Sequence, residues 1–191
     1  MDDDDDREAA RVAEAIDEVG VDRLADAIVE AWDRGGVDAD AELTWPETAQ
    51  RYRLELTDPD EPAGMDVFAT ALDHAPGSPE AVAVDIELGR RDTLAGDQQT
   101  ALERLAANPG VTAGTDRTQG TAPATLETID ALARLPGDAV THAVVLDEDG
   151  RAIVERRTRT TVRFALPESR DQAAVAGLAP AVVDRLVRES A

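Results

Sequence analysis

The sequence predicts an α+β protein: a two-layer sandwich of mainly antiparallel sheet covered by helices, in two similar α-βββ-α halves. Three observations carry this. Apolar residues recur at spacings of three and four in some segments and at every second position in others. Pro and Gly clusters punctuate the chain between those segments. The period-two segments alternate apolar with polar residues, the pattern of strands with one face against helices and one face wet.

Taken in order, Asp2 to Asp6 form a like-charge block that reads as a disordered acidic tip over 1–6. Val12, Ile16 and Val19 give a helix over 7–19. Asp22 caps a second helix whose apolar face is Val21, Leu24, Ile28 and Trp32, with Gly35 and Gly36 ending it. Residues 37–49 read as an acidic loop containing Trp45 and Pro46. Tyr52, Leu54 and Leu56 alternate with Arg51, Arg53 and Glu55 as a strand. The apolar run 65–72 fits a strand or a short helix. Val82, Val84, Ile86 and Leu88 alternate with Ala83, Asp85 and Glu87, which predicts a half-buried strand with Asp85 on the wet side. A helix follows over about 92–107, stopped by Asn108, Pro109 and Gly110.

Residues 111–122 are small, polar and Gly-rich, and read as a linker between a half spanning 7–110 and a half spanning 123–191. Pro123 opens a helix to about 135. Strands at 140–146 and 151–157, joined by the Asp147–Gly150 turn, make a hairpin. A strand at 160–166 and a last helix over 169–189, kinked at Pro180, complete the chain.

Composition narrows the function classes. The 191 residues carry a net charge of −22, with 19 basic residues, all of them Arg, and no Cys. No disulfide, thiol nucleophile or cysteine metal site is available. No apolar run reaches the length of a membrane span, and the acidic start is the opposite of a signal peptide, so a cytoplasmic location and no membrane partner are expected. The acidic surface, Arg in place of Lys and small aliphatic core residues resemble the style of extreme halophile proteins. That resemblance makes solvation at high salt the ordinary role of most carboxylates here.

Catalytic and cofactor motifs are sparse. There is no phosphate-binding GxxxxGK[ST], no GxSxG and no HExxH, so no catalytic residue, cofactor or metal site is assigned. His74, in a Pro/Gly turn beside Asp73, and His142, on a strand, are the only candidates for a general base in a small enzyme. The anomaly in charge is positive: residues 151–163 hold Arg151, Arg156, Arg157, Arg159 and Arg163 against Glu155 alone. An extended 157–163 puts Arg157, Arg159 and Arg163 on one face. With Arg51 and Arg53 they form an anion-recognition strip for an anionic or protein partner; the competing role is cross-strand pairing with acids such as Glu55, Asp85 or Glu87.

Two resemblances bear on function. The order helix, "NPGVT", "APATLETIDALARL", hairpin over 101–166 resembles a winged helix-turn-helix, which implies DNA binding with 123–135 as recognition helix. It departs from that pattern at 112–120, where the expected middle helix lacks apolar residues. The order of elements is also similar to type III secretion chaperones, which implies a dimeric peptide-binding module. The reading that best fits is a non-catalytic interaction or regulatory module with a protein partner or a second copy; nucleic-acid binding and a small enzyme are the alternatives.

The charge yields a first prediction. At molar KCl the Debye length is about 3 Å, against about 10 Å at 0.1 M, so lowering salt exposes the self-repulsion of the chain. Far-UV circular dichroism should show the fold weakening as KCl falls over that range; full structure in dilute buffer would contradict it.

Overall fold

The computed structural model describes residues 20–35, 43–58, 62–88, 94–167 and 185–189. Within them are α1 (Val21–Gly35), β1 (Ala49–Glu55), α2 (Pro62–His74), β2 (Pro79–Glu87), α3 (Gly96–Ala106), β3 (Val111–Ala113), β4 (Arg117–Pro123), α4 (Leu126–Arg134), β5 (Val140–Asp147), β6 (Ala152–Thr158), β7 (Thr161–Pro167) and β8 (Leu186–Arg188). The eight strands form one sheet in the order β3-β4-β2-β5-β6-β7-β1-β8. Every pairing is antiparallel. The α+β class with an antiparallel sheet holds.

Alternation along the strands divides the core in two. Val82, Val84 and Ile86 of β2, Val145 of β5, Val154 of β6 and Phe164 of β7 face one side, where Phe68 of α2, Leu105 of α3 and Leu132 of α4 pack on them. Ala81, Ala83, Val144, Leu146 and Ala152 face the other side, where Ala25, Ile28 and Trp32 of α1 cover them. Helices therefore lie on both faces of β2 and β5, in place of the single helical layer expected. The alanines of β2 explain why: residues this small let a helix approach a sheet closely, and they leave no polar group facing water. β2 is accordingly buried on both sides from Ala81 to Ile86, not half-wet.

Three other expectations are corrected. Residues 65–72 lie within α2, so the first half contributes two strands, β1 and β2, and these are separated in the sheet by β5, β6 and β7. The strands of the two proposed halves are thus interleaved. Residues 111–122 are β3 and most of β4 rather than a linker. Their alternation is real, since Thr118, Gly120 and Ala122 are buried while Arg117, Gln119 and Thr121 are half-buried, but it is written in small residues. Finally, 186–188 form β8 instead of the end of a helix: β1 offers an open ladder at Tyr52–Leu54, and Leu186 pairs with Leu54. The tip at 1–6, the helix over 7–19 and 169–184 of the last predicted helix lie outside the described residues.

Two local devices fix the connections. Asp147 closes the β5–β6 turn by accepting the backbone N–H groups of Asp149 at 3.0 Å and Arg151 at 2.7 Å, with Gly150 in the left-handed region at φ 72°. Arg156, 2% exposed, donates through Nη2 to the carbonyls of Gly137 at 2.7 Å and Arg159 at 2.6 Å. That guanidinium ties the α4–β5 connection to the β6–β7 turn.

The close approach of β4 to the segment before β3 depends on Gly120, whose φ is +143°; a Cβ there would overlap the Gly110 carbonyl oxygen. Gly120→Ala should therefore destabilise the protein by more than about 1 kcal/mol, read as a lower denaturation midpoint in urea with an unchanged slope. A midpoint equal to wild type would contradict this account of the edge.

Candidate functional site

The register sets a row of ionisable side chains on the α1 side of the sheet. Asp85 of β2 stands opposite His142 of β5 and Gln119 of β4. Glu155 of β6 stands opposite Val144 of β5 and Arg163 of β7, and Arg163 opposite Arg53 of β1. Directly paired residues share a face, so these groups continue the surface on which Ala83 and Val144 meet α1.

At the α1 end the row is dry. Asp85 and His142 are each 4% exposed. Arg117 grips Asp85 with two bonds, Nε to Oδ1 at 2.7 Å and Nη2 to Oδ2 at 2.9 Å, and reaches Asp33 of α1 with Nη1 at 2.9 Å. His142 Nδ1 is 3.8 Å from Asp85 Oδ2, too far for a hydrogen bond. Its ring stacks on Trp32, with centroids 5.1 Å apart and planes at 25°. Burial raises the Asp85 carboxyl, but His142 and Arg117 together outweigh it and hold the group below its ordinary range. The same pairing pushes Arg117 upward.

Toward β8 the row becomes half-buried. Arg163 donates from Nη1 to Glu155 Oε2 at 3.1 Å, and from Nε and Nη2 to Glu189 Oε2 at 3.2 and 3.1 Å. Trp45 covers its guanidinium at 5.3 Å, a cation–π contact. Glu155 is pushed upward by burial, which Arg163 only partly offsets. Both tryptophans of the chain thus lie over cationic or ionisable side chains of one sheet face.

The sequence-predicted strip is only partly assembled. Arg51, Arg53 and Arg163 share the α1 side by register and alternation. Arg159 does not join them: residues 159 and 160 form the turn between β6 and β7, so alternation does not run through 157–163, and Arg159 reaches Glu87 at 2.9 Å. Arg157 lies half-buried near the end of β6. Arg53 pairs with Glu55 at 3.2 Å. The competing role of cross-strand and neighbouring acids therefore applies to Arg53, Arg159 and Arg163.

The two histidines are not brought together. His74 ends α2, on the opposite side of the sheet from His142. The segment 112–120 is strand, turn and strand, so the middle helix of a helix-turn-helix is absent and that resemblance fails at its central element. Arg117 and Glu189 were not singled out from the sequence, Asp85 was read as a wet-side acid available for pairing, and the two tryptophans as a helix-face and a loop residue. One signal was available: Ala83, read as a wet position of β2, and Ala81 before it mark a second covered face on which Asp85 must be paired.

Among the described residues no group of three or more His, Asp or Glu is placed to hold a metal ion. An open groove of about 280 Å³ between α3 and α4 is lined by Arg104, Asn108, Thr125 and Glu127. No helix among the described residues is long and apolar enough to cross a membrane. Comparison with protein-family models, curated proteins and solved structures returns no match.

The two buried acids should respond to pH in opposite senses. The Asp85 value is lowered on folding, so its contribution is present above the ordinary carboxylate range and lost as pH falls through the lowered value. Asp85→Asn should be destabilising at pH 7, with a deficit that shrinks on acidification. The Glu155 value is raised, so its folded site favours the neutral acid, and stability is lost as pH climbs from the ordinary value through the raised one. Glu155→Gln should gain on wild type over that climb. Urea titrations at stepped pH check both; parallel pH slopes for the two variants would refute the assignment.

Proposed function

We propose that the chain is a non-catalytic interaction module of a halophile-type acidic cytoplasmic protein, taking an anionic or protein partner at the arginine-bearing end of its sheet. The observation that carries this is a local reversal of charge. Strands β1, β7 and β8, with the residues flanking β8, bear Arg51, Arg53, Arg163, Arg185 and Arg188 against Glu55 and Glu189, in a chain of net charge −22. Trp45 over Arg163 adds an aromatic to that surface. Tryptophan and arginine are the residues most enriched at the energetic centres of protein interfaces.

Charge screening favours a contact of this kind at high salt. With a Debye length of about 3 Å the overall negative field is suppressed, and what remains is direct pairing. Guanidinium suits that role because it is weakly hydrated and binds carboxylate through two bonds at once. Arg163 is held by two glutamates and sits under Trp45, which orients it within the surface. Arg53 is exposed on β1, where its pair with Glu55 can exchange for a partner's carboxylate. Arg51 lies two residues before it on the same face. These two are the recognition residues.

The test is retention of a partner from native lysate at molar KCl by the tagged chain. Wild type should retain a stoichiometric partner, and the double variant Arg51→Ser/Arg53→Ser should lose it with circular dichroism unchanged. Equal retention by the variant would reject this site, and a wild-type chain that retains nothing would reject the module.

A further inference from the structure

The β8 end of the sheet offers backbone as well as charge. Among the described residues β8 is the outermost strand on its side, and the strand it pairs with is β1. The Glu189 N–H donates to the Arg51 carbonyl at 2.9 Å, in register with the pairs Tyr52–Arg188, Arg53–Val187 and Leu54–Leu186. Hydrogen-bonded and non-bonded pairs alternate along an antiparallel ladder. Val187 therefore exchanges bonds with Arg53, while Leu186 and Arg188 point their N–H and C=O groups away from β1. Among the described residues nothing pairs with that outer side, where Val187 is 47% exposed and Arg188 is exposed.

Natural edges are commonly protected by being very short, by charged side chains, by proline or by bulges. β8, Leu-Val-Arg, is short and charged but has no proline, so the strand it admits is one whose charge matches its arginine. By alternation Arg188 stands on the α2 side of the sheet, and Arg185 and Val187 on the α1 side with Arg53 one strand further in. A strand added here meets Arg188 on one face and the exposed Val187 on the other.

We infer that β8 receives an extended acidic segment of a partner protein as a ninth strand. Its backbone bonds to Leu186 and Arg188, its carboxylates pair with Arg188 on one face, and its apolar side chains rest on Val187 on the other. This rests on the interaction-module reading and names its partner. A second copy fits less well, because it joins two chains of charge −22 and offers no excess of carboxylate opposite Arg188.

The probe is a fluorescein-labelled alternating glutamate–valine heptapeptide, followed by fluorescence anisotropy at molar KCl against the full chain. The chain should bind it and ignore the lysine–valine counterpart. Peptides N-methylated at alternate residues should divide: one register binds as the parent and the other loses about tenfold or more. Arg188→Pro, which removes an outward N–H but none of the bonds made by Val187 and Glu189, should lose more affinity than Arg188→Ser. Absence of peptide binding, or equal binding by both methylated registers, overturns the inference. If Arg51→Ser/Arg53→Ser loses the peptide while both methylated registers still bind, the partner lies on the sheet face, and the module reading survives without the ninth strand. A dimer in sedimentation that is broken by Arg188→Pro overturns it in favour of a second copy.

Discussion

Asp85 must ionise in a place where water does not reach it, and the pairing that permits this organises one side of the molecule. An isolated carboxylate at 4% exposure carries a large desolvation cost. Arg117 offsets it with a two-bond grip from the neighbouring strand and extends to Asp33 on α1. The same guanidinium thus joins β2, β4 and α1. Trp32 then seals the site by stacking on His142. Without this pairing, α1 would close over an uncompensated charge, and breaking such a pair by removing one partner costs far more than the pair itself contributes.

That arrangement gives the sheet two different ends on the α1 side. Over β4, β2 and β5 the helix lies on alanines and valines, with Asp85 locked to Arg117 and the His142 ring stacked under Trp32. Over β7, β1 and β8 the covering is slighter: Trp45 reaches Arg163, and the carboxylates that meet that arginine come from β6 and from beyond β8. Asp85 is buried and fixed in charge. Arg53 is exposed, with a partner it can exchange, and exposed ion pairs contribute little to stability. The first end is thus closed to solvent, and the second keeps part of its charge in contact with it.

Sequence patterning reached the class, most helices and the strands whose apolar residues are Val, Ile, Leu, Tyr and Phe. It failed where the same geometry is built from smaller residues. Thr118, Gly120 and Ala122 alternate into the core as faithfully as Val82, Val84 and Ile86, but Thr, Gly and Ala are equally the residues of loops, so β3 and β4 read as a linker. β8 failed for a different reason. Leu186 follows Leu178 and Val182 at helical spacing in the sequence, and a three-residue strand is too short to show a period of its own. The open ladder of β1 that captures it is a property of the fold that local pattern does not contain. For the site, the arginines were visible as an excess of charge, whereas their partners were not. Glu155 and Arg163 meet only because the β6–β7 turn falls at 159–160, and that same turn removes Arg159 from the strip.

The strand order shows why charge gathers where it does. β2 and β5 are covered on both faces, so a carboxylate there needs bonded partners, Arg117 for Asp85 and backbone N–H groups for Asp147. β1 and β8 lie at the far end, with β6 and β7 between them and β5, where a guanidinium keeps contact with water and its stem lies along the sheet. An acidic protein has no shortage of carboxylates with which to fill such positions, and it places Arg51, Arg53, Arg185 and Arg188 there instead, with Arg163 on the neighbouring β7. Cross-strand and neighbouring pairing accounts for Arg163 with Glu155 and for Arg53 with Glu55. Arg53 and Arg163 face one another across β1 and β7, and the cost of like charges opposite one another is offset by those same carboxylates, with Glu189 adding a second to Arg163.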